Sequence, residues 1–176
     1  ALRAWVRAHV TATAAKLDPE QGAEKAALAR RYFDFAVALL RPPPPRLLAL
    51  GGLSGTGKST IGAILAGRIP GARVLRSDVL RKRQLGVTPE TRLPETAYTP
   101  DASRRVYAAL GAAAAAALAA GCSVIIDAVA ARPDERAAFA ALAATAGVPF
   151  TGIWLEAPAD VLTARIAGRK DDASDA

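Results

Sequence analysis

Residues Gly52-Leu53-Ser54-Gly55-Thr56-Gly57-Lys58-Ser59 fit the spacing Gly, four residues, Gly-Lys-Ser, and no other stretch limits so tightly what the chain can fold into. The spacing carries meaning only between a buried strand and a helix. Both are predicted here. Leu47 to Gly51 is a short apolar run bounded by Pro45 and Gly51, as in a strand covered on both faces. Ser59 to Arg68 reads as a helix with Ile61, Ile64 and Leu65 on one stripe, stopped by Pro70-Gly71. Glycines at 52, 55 and 57 let backbone N–H groups turn inward around an anion, and the helix N-terminus adds partial positive charge there. The expected phosphate cradle is Gly52, Ser54, Gly55, Thr56, Gly57, Lys58, Ser59 and Thr60. Lys58 would reach the β- and γ-phosphates, and the Ser59 hydroxyl would hold Mg²⁺. The competing reading, a glycine-rich turn that fits by chance, does not account for the flanks.

The rest of the chain alternates in the same way. Ala72–Arg76, Ser123–Asp127 and Pro149–Leu155 read as further strands. Helices are predicted from Asp78 to about Arg83, from Thr99 to Ala120 with Gly121 closing it, from Pro133 to Ala146, and from Pro158 to Arg169. Gln84 to Tyr98 reads as a mobile loop, and Lys170 to Ala176 as a loose polar end. Alternating strands and helices imply an α/β fold with a doubly wound parallel sheet flanked by helices. Ligands of such sheets bind beyond the carboxyl ends of the strands. There the chain places Lys58 and Ser59, Asp78, and Asp127.

That set suits phosphoryl transfer, where positioning and charge stabilisation do most of the work. Asp78 is the candidate to orient and deprotonate an acceptor hydroxyl, with a helix N-cap as its alternative role. Asp127 is the candidate for Mg²⁺ or its waters, with structural hydrogen bonding as the alternative. Arg165 and Arg169, spaced i and i+4, share a face that would close over phosphates, or else they complement the end of a solvated helix. Arg81, Arg104 and Arg105 are candidate acceptor contacts. From Arg68 to Arg105 there are nine basic and four acidic residues within a chain of net charge +7, so this stretch would favour a phosphate or another anion, unless the arginines merely reflect a compositional bias.

The first forty residues look different. Leu2 to Lys16 has a helical pattern, and Asp18-Pro19-Glu20-Gln21 reads as the start of a second helix, with Asp18 as N-cap and Leu28, Tyr32, Phe35 and Leu39 on one face. Arg41 to Arg46 encloses four prolines, a stiff extended joint. The expected organisation is a helical appendage at 1–41, a proline linker at 42–45 and a nucleotide domain at 46–176. The chain has no Met, even at position 1, so the expectation is a fragment of a longer product. No apolar run approaches the roughly 20 residues of a membrane span. The single Cys122 suits a reducing cytoplasm and reads as a small buried residue at a strand start rather than a catalytic thiol. His9 is assigned no chemistry.

Together, Gly52 to Thr60, Ser77-Asp78-x-x-Arg81, Val124-Ile125-Ile126-Asp127 and Arg165-x-x-x-Arg169 resemble the small P-loop kinases. That group includes polynucleotide 5′-kinase, gluconate kinase, chloramphenicol phosphotransferase and the zeta toxins. The resemblance covers about Arg46 to Arg169 and implies a P-loop NTPase fold, ATP and Mg²⁺. It gives Asp78 the activation of the acceptor, Arg81 an acceptor contact, and Arg165 with Arg169 a grip on the transferred phosphate. A narrower likeness is to bacterial two-part proteins that join an aminoglycoside-phosphotransferase-like domain to a kinase-like ATP-binding domain. Leu2 to Leu40 resembles the last helices of the first part, and the family's fifth strand and adenine contacts would lie beyond this sequence. The implied activity moves the γ-phosphate of ATP to a hydroxyl of a small polar or anionic acceptor, in a monomer. The rivals are a nucleotide-binding regulatory module with little turnover and a polynucleotide 5′-kinase. The latter would show salt-dependent acceptor binding, and the chain lacks a row of aromatics for stacking bases.

Overall fold

The computed structural model describes residues 1–41 and 43–167. The chain divides into two compact units, Ala1–Pro43 and Pro44 onward.

The first unit is a pair of helices, α1 (Leu2–Leu17) and α2 (Gly22–Leu40). Its buried residues are Ala4, Ala8, Ala29 and Ala36. The predicted apolar face of α2 is therefore displaced: Leu28 and Phe35 are exposed, while small alanines line the contact and let the two backbones approach closely. Gly22 marks that approach, since a Cβ there would lie 2.7 Å from the Ala15 carbonyl oxygen. Asp18 does not cap α2 as expected. Its carboxylate accepts the N–H groups of Glu20 and Gln21 within the turn, and the helix begins at Gly22. His9 stacks on Trp5 in α1, a packing role.

The second unit is a four-stranded, all-parallel sheet in the order β2-β3-β1-β4. The strands are β1 (Leu47–Gly51), β2 (Arg73–Arg76), β3 (Val124–Asp127) and β4 (Phe150–Trp154). Between them run α3 (Lys58–Arg68), α4 (Ser77–Gln84), a short 3₁₀ turn at Glu95–Tyr98, α5 (Pro100–Ala119) and α6 (Pro133–Thr145); α7 (Ala159–Ala167) follows β4. The doubly wound α/β fold is as the alternation implied.

Successive residues of the two central strands feed opposite layers, as a pleated strand dictates. Leu48, Leu50 and Ile125 meet Ile61, Leu65, Ala66 and Ile69 from the α3 side. Leu47, Ala49, Val124 and Ile126 meet Leu110, Ala114 and Leu118 of α5 and Phe139 and Ala143 of α6. Both faces are covered, which is why these strands read as continuous apolar runs. The predicted stripe of α3 shifts slightly: Ile64 is exposed, and buried Gly62 faces Leu50 instead. Cys122 is only half-buried, just ahead of β3.

The segment from Gln84 to Tyr98 is more firmly held than a mobile loop. Lys82, with no exposed surface, donates to the Pro89 carbonyl at 2.8 Å, and Arg81 donates to the Ala97 carbonyl at 2.8 Å and lies over the Tyr98 ring. Two adjacent cations of α4 thus tie the segment down at Pro89 and at Ala97.

Candidate phosphate-binding and phosphoryl-transfer site

The loop between β1 and α3 has the conformation its glycines predicted. Gly52, Gly55 and Gly57 have φ of 136°, 84° and 92°, values that L side chains rarely adopt. Space matters at the first of them, because a Cβ on Gly52 would lie 2.4 Å from the Leu155 carbonyl oxygen. Thr56 closes the loop by donating its hydroxyl to the Leu53 carbonyl at 2.7 Å. Gly57 occupies the N-cap position of α3, so the first turn of that helix lies at the cavity lined by the loop.

The loop forms one wall of a cavity of about 520 Å³, lined by Ser54 to Ile61, Ser77, Asp78, Asp127, Val129 and Arg165. Most of the predicted site thus converges here. Lys58 Nζ donates to the Gly52 and Leu53 carbonyls at 2.7 and 2.8 Å, which holds the ammonium against the loop. Ser59 Oγ donates to Asp127 Oδ2 at 2.6 Å. Asp127 ends β3, directly beside β1, so parallel pairing brings its carboxylate to the first turn of α3. Arg165 of α7 donates to the Gly55 carbonyl at 3.1 Å. Asp78 lies in the first turn of α4, whose N-cap is Arg76, so it is not itself the N-cap.

Three predicted acceptor contacts are not among the described residues lining this cavity. Arg81 is 6% exposed, engaged with Ala97 and Tyr98 and within 3.5 Å of Ser103 Oγ. Arg104 pairs with Asp101 and faces a separate groove between α5 and α6. Arg105 is exposed on α5. Spacing of i and i+3 placed Asp78 and Arg81 on neighbouring positions, but burial of the arginine against the 84–98 segment gives the two different surroundings. Arg169 lies outside the described residues.

Sequence reasoning missed two features. One is Arg76, whose Nε sits 3.3 Å from Asp127 Oδ2. The signal was present: Arg76 and Asp127 are register partners at the ends of adjacent parallel strands. The other is the turn after Asp127. Val129 O accepts the Gly52 N–H at 3.0 Å, and Ala130, at φ 47°, donates its N–H to the Tyr107 hydroxyl at 2.9 Å. Arg136 closes the turn by donating to the Ala130 and Ala131 carbonyls. Burial pushes the Tyr107 hydroxyl up to about 12, against the opposing influence of the bond from Ala130.

The donor set suits Mg²⁺. No group of three or more His, Cys, Asp or Glu that could cage a metal occurs among the described residues, and Mg²⁺ bound with nucleotide needs only one or two protein oxygens beside phosphates and water. Ser59 spends its proton on Asp127, which leaves its oxygen lone pairs for a cation.

A glycine loop ending β1, a lysine and serine opening the next helix, and a carboxylate at the end of the neighbouring strand define a P-loop protein built to hold nucleotide phosphates. The chain belongs to the AAA domain family, whose profile matches residues 47–176. An adenylyl-sulfate kinase from Myxococcus xanthus (strain DK1622) is 38% identical over 126 residues, 68% of this chain and 62% of that protein. The chain therefore spans less than two thirds of this relative's length. Among solved structures, the APS kinase CysC of Mycobacterium tuberculosis, in complex with AMPPNP and APS, matches with a TM-score of 0.59 at 21% identity, covering 72% of this chain and 71% of that one. A gluconokinase from Sinorhizobium meliloti 1021 matches with a TM-score of 0.51 at 24% identity, covering 71% and 65%. These two likenesses concern the fold. No helix among the described residues is long and apolar enough to cross a membrane.

Proposed function

We propose that the protein is an ATP- and Mg²⁺-dependent phosphotransferase that moves the γ-phosphate to a hydroxyl of a small polar or anionic acceptor. The observation that carries this reading is the convergence in one cavity of the glycine loop with Lys58, the Ser59–Asp127 pair, Arg165 and the carboxylate of Asp78. A nucleotide-storing module needs the first three; an acid lining the same cavity is what acceptor activation adds. The M. xanthus relative, an adenylyl-sulfate kinase, supports a small acceptor. The narrower likeness to two-part proteins belongs to the same proposal and rests on the motifs quoted for it.

In this mechanism the loop N–H groups and Lys58 hold the phosphate oxygens, and Ser59 and Asp127 are the protein's donors to Mg²⁺. When bound, Mg²⁺ would supply neutralisation of phosphate charge. Asp78 accepts the proton of the acceptor hydroxyl as its oxygen bonds to the γ-phosphorus. The bond from that phosphorus to the β,γ-bridging oxygen breaks, and ADP leaves with the electron pair. Arg165 stabilises the charge on the transferred group.

The test is release of ADP from MgATP across a panel of sugars, sugar acids, aminoglycosides, adenylyl sulfate, nucleosides and DNA 5′ ends. The expected result is turnover that rises with one acceptor class. ATP binding without acceptor-dependent release from any class would replace the enzyme with a nucleotide-binding regulatory module.

A further inference from the structure

Asp127 carries more than the serine that a phosphate loop requires. Its side chain is 6% exposed, and one oxygen, Oδ2, accepts the Ser59 hydroxyl at 2.6 Å and stands 3.3 Å from the Arg76 Nε in an ion pair that is not a hydrogen bond. The Arg76 side chain is itself only 24% exposed, so the pair is poorly screened by solvent. Strand pairing fixes the partnership: Arg76 and Asp127 stand opposite one another at the carboxyl ends of β2 and β3. The residue after Arg76 begins α4, and the one after that is Asp78. A cation is thus paired with the expected metal donor, two residues ahead of the expected base in the sequence.

We propose that Arg76 is a positioning residue: an internal counter-cation that holds the Asp127 carboxylate before Mg²⁺ arrives and competes with Mg²⁺ for that charge, so that it sets the Mg²⁺ concentration the site requires. This inference rests on the phosphotransferase reading in one respect, that Mg²⁺ enters with nucleotide at Ser59 and Asp127. A unit positive charge within a few ångströms of a divalent cation raises the energy of that cation, while the same charge steadies the carboxylate when no metal is present. Replacing Arg76 by a neutral residue should therefore make Mg²⁺ bind more readily, the opposite of what losing a merely structural contact would do.

The readout is binding, not turnover. The protein is titrated with a fluorescent ADP analogue at rising Mg²⁺ concentrations, and the Mg²⁺ concentration giving half of the metal-dependent gain in binding is compared among wild type, R76Q, R76K, D127N and R76Q/D127N. Circular dichroism and thermal melting establish that each variant is folded. In R76Q the half-maximal Mg²⁺ concentration is expected to fall roughly three- to tenfold, the order set by removing one partly screened charge near a cation. R76K keeps the charge and stays within about twofold of wild type. Relative to D127N alone, R76Q/D127N should show a smaller fall than R76Q shows relative to wild type, because the competition for the carboxylate is gone and only direct repulsion of the cation remains. A folded R76Q whose Mg²⁺ requirement is unchanged or raised overturns the inference and leaves the phosphotransferase reading intact. If R76Q does not fold, R76K decides: a Mg²⁺ requirement displaced more than threefold despite the retained charge overturns the inference. A wild-type protein whose nucleotide binding ignores Mg²⁺ overturns both, and that outcome is visible before any variant is made.

Discussion

Asp78 and Arg81 lie three residues apart on one short helix and face different surroundings, and substitutions should separate them. Asp78 lines the phosphate cavity. Asp78→Asn removes a proton acceptor without changing the side chain's volume, so nucleotide binding should persist while acceptor-dependent ADP release falls by about 10²–10⁴-fold, the range general base catalysis typically supplies. Equal loss of nucleotide binding and turnover would remove the base role. Arg81, by contrast, is buried, bonded to the Ala97 carbonyl and covered by Tyr98. Arg81→Gln should lower unfolding free energy by about 1–3 kcal/mol, because it removes a buried charged donor and leaves the half-buried Ala97 carbonyl short of its partner. Urea unfolding measures this, and a variant of unchanged stability with a raised acceptor KM would restore the acceptor contact that the sequence spacing suggested. Residue chemistry was legible in the sequence where the backbone alone sets position: glycines at positive φ, a lysine and serine at a helix start, an acid at a strand end. It was not legible for Arg81, Arg104 and Arg105, whose long side chains are directed by whatever element packs on them.

At the level of elements, the turn joining β3 to α6 shows what pattern reading passes over. Nothing in Ala128-Val129-Ala130-Ala131 signals special geometry, yet Ala130 sits at φ 47°, where a non-glycine residue persists only if its surroundings hold it. The holders come from elsewhere in the sequence: Tyr107 on α5, Arg136 on α6 and Gly52 in the loop. Strands and long helices follow from local periodicity, and their existence was predictable. Clamps between elements depend on which helices the sheet order brings together. The Tyr107 clamp has a measurable signature. Tyr107→Phe removes the acceptor for the Ala130 N–H and should cost about 1–3 kcal/mol at neutral pH. The folded state favours the neutral phenol, with a pKa raised from 10.0 to about 12. That contribution is fully present below pH 10 and is lost as pH rises towards 12. The stability gap between wild type and Tyr107→Phe should therefore narrow across this window in denaturant titrations. A gap independent of pH would mean that the phenol is not held neutral by the fold.

For the molecule as a whole, the site draws on β1, β3, α3, α4 and α7, so ligand binding should be felt as stability of the entire second unit rather than of one loop. A ligand that binds only the folded state stabilises it in proportion to the logarithm of its saturation, about 2.7 kcal/mol at a hundredfold excess over Kd. For a unit of this size that corresponds to a rise in Tm of roughly 5–15 °C. The chain offers a local reporter. It has two tryptophans, of which Trp5 belongs to the helical pair and Trp154 ends β4, bonded to Glu156 and lying under Arg136. Trp5→Phe leaves Trp154 as the sole indole, and its fluorescence transition should move up with MgATP. Lys58→Ala in the same background should abolish most of the shift, because the lysine is the cavity's cation nearest the loop backbone. Asp78→Asn should leave the shift intact, since its proposed work is on the acceptor. A shift that survives loss of Lys58, or one that disappears with Asp78, would reverse the division of labour between phosphate holding and acceptor activation on which the proposed mechanism depends.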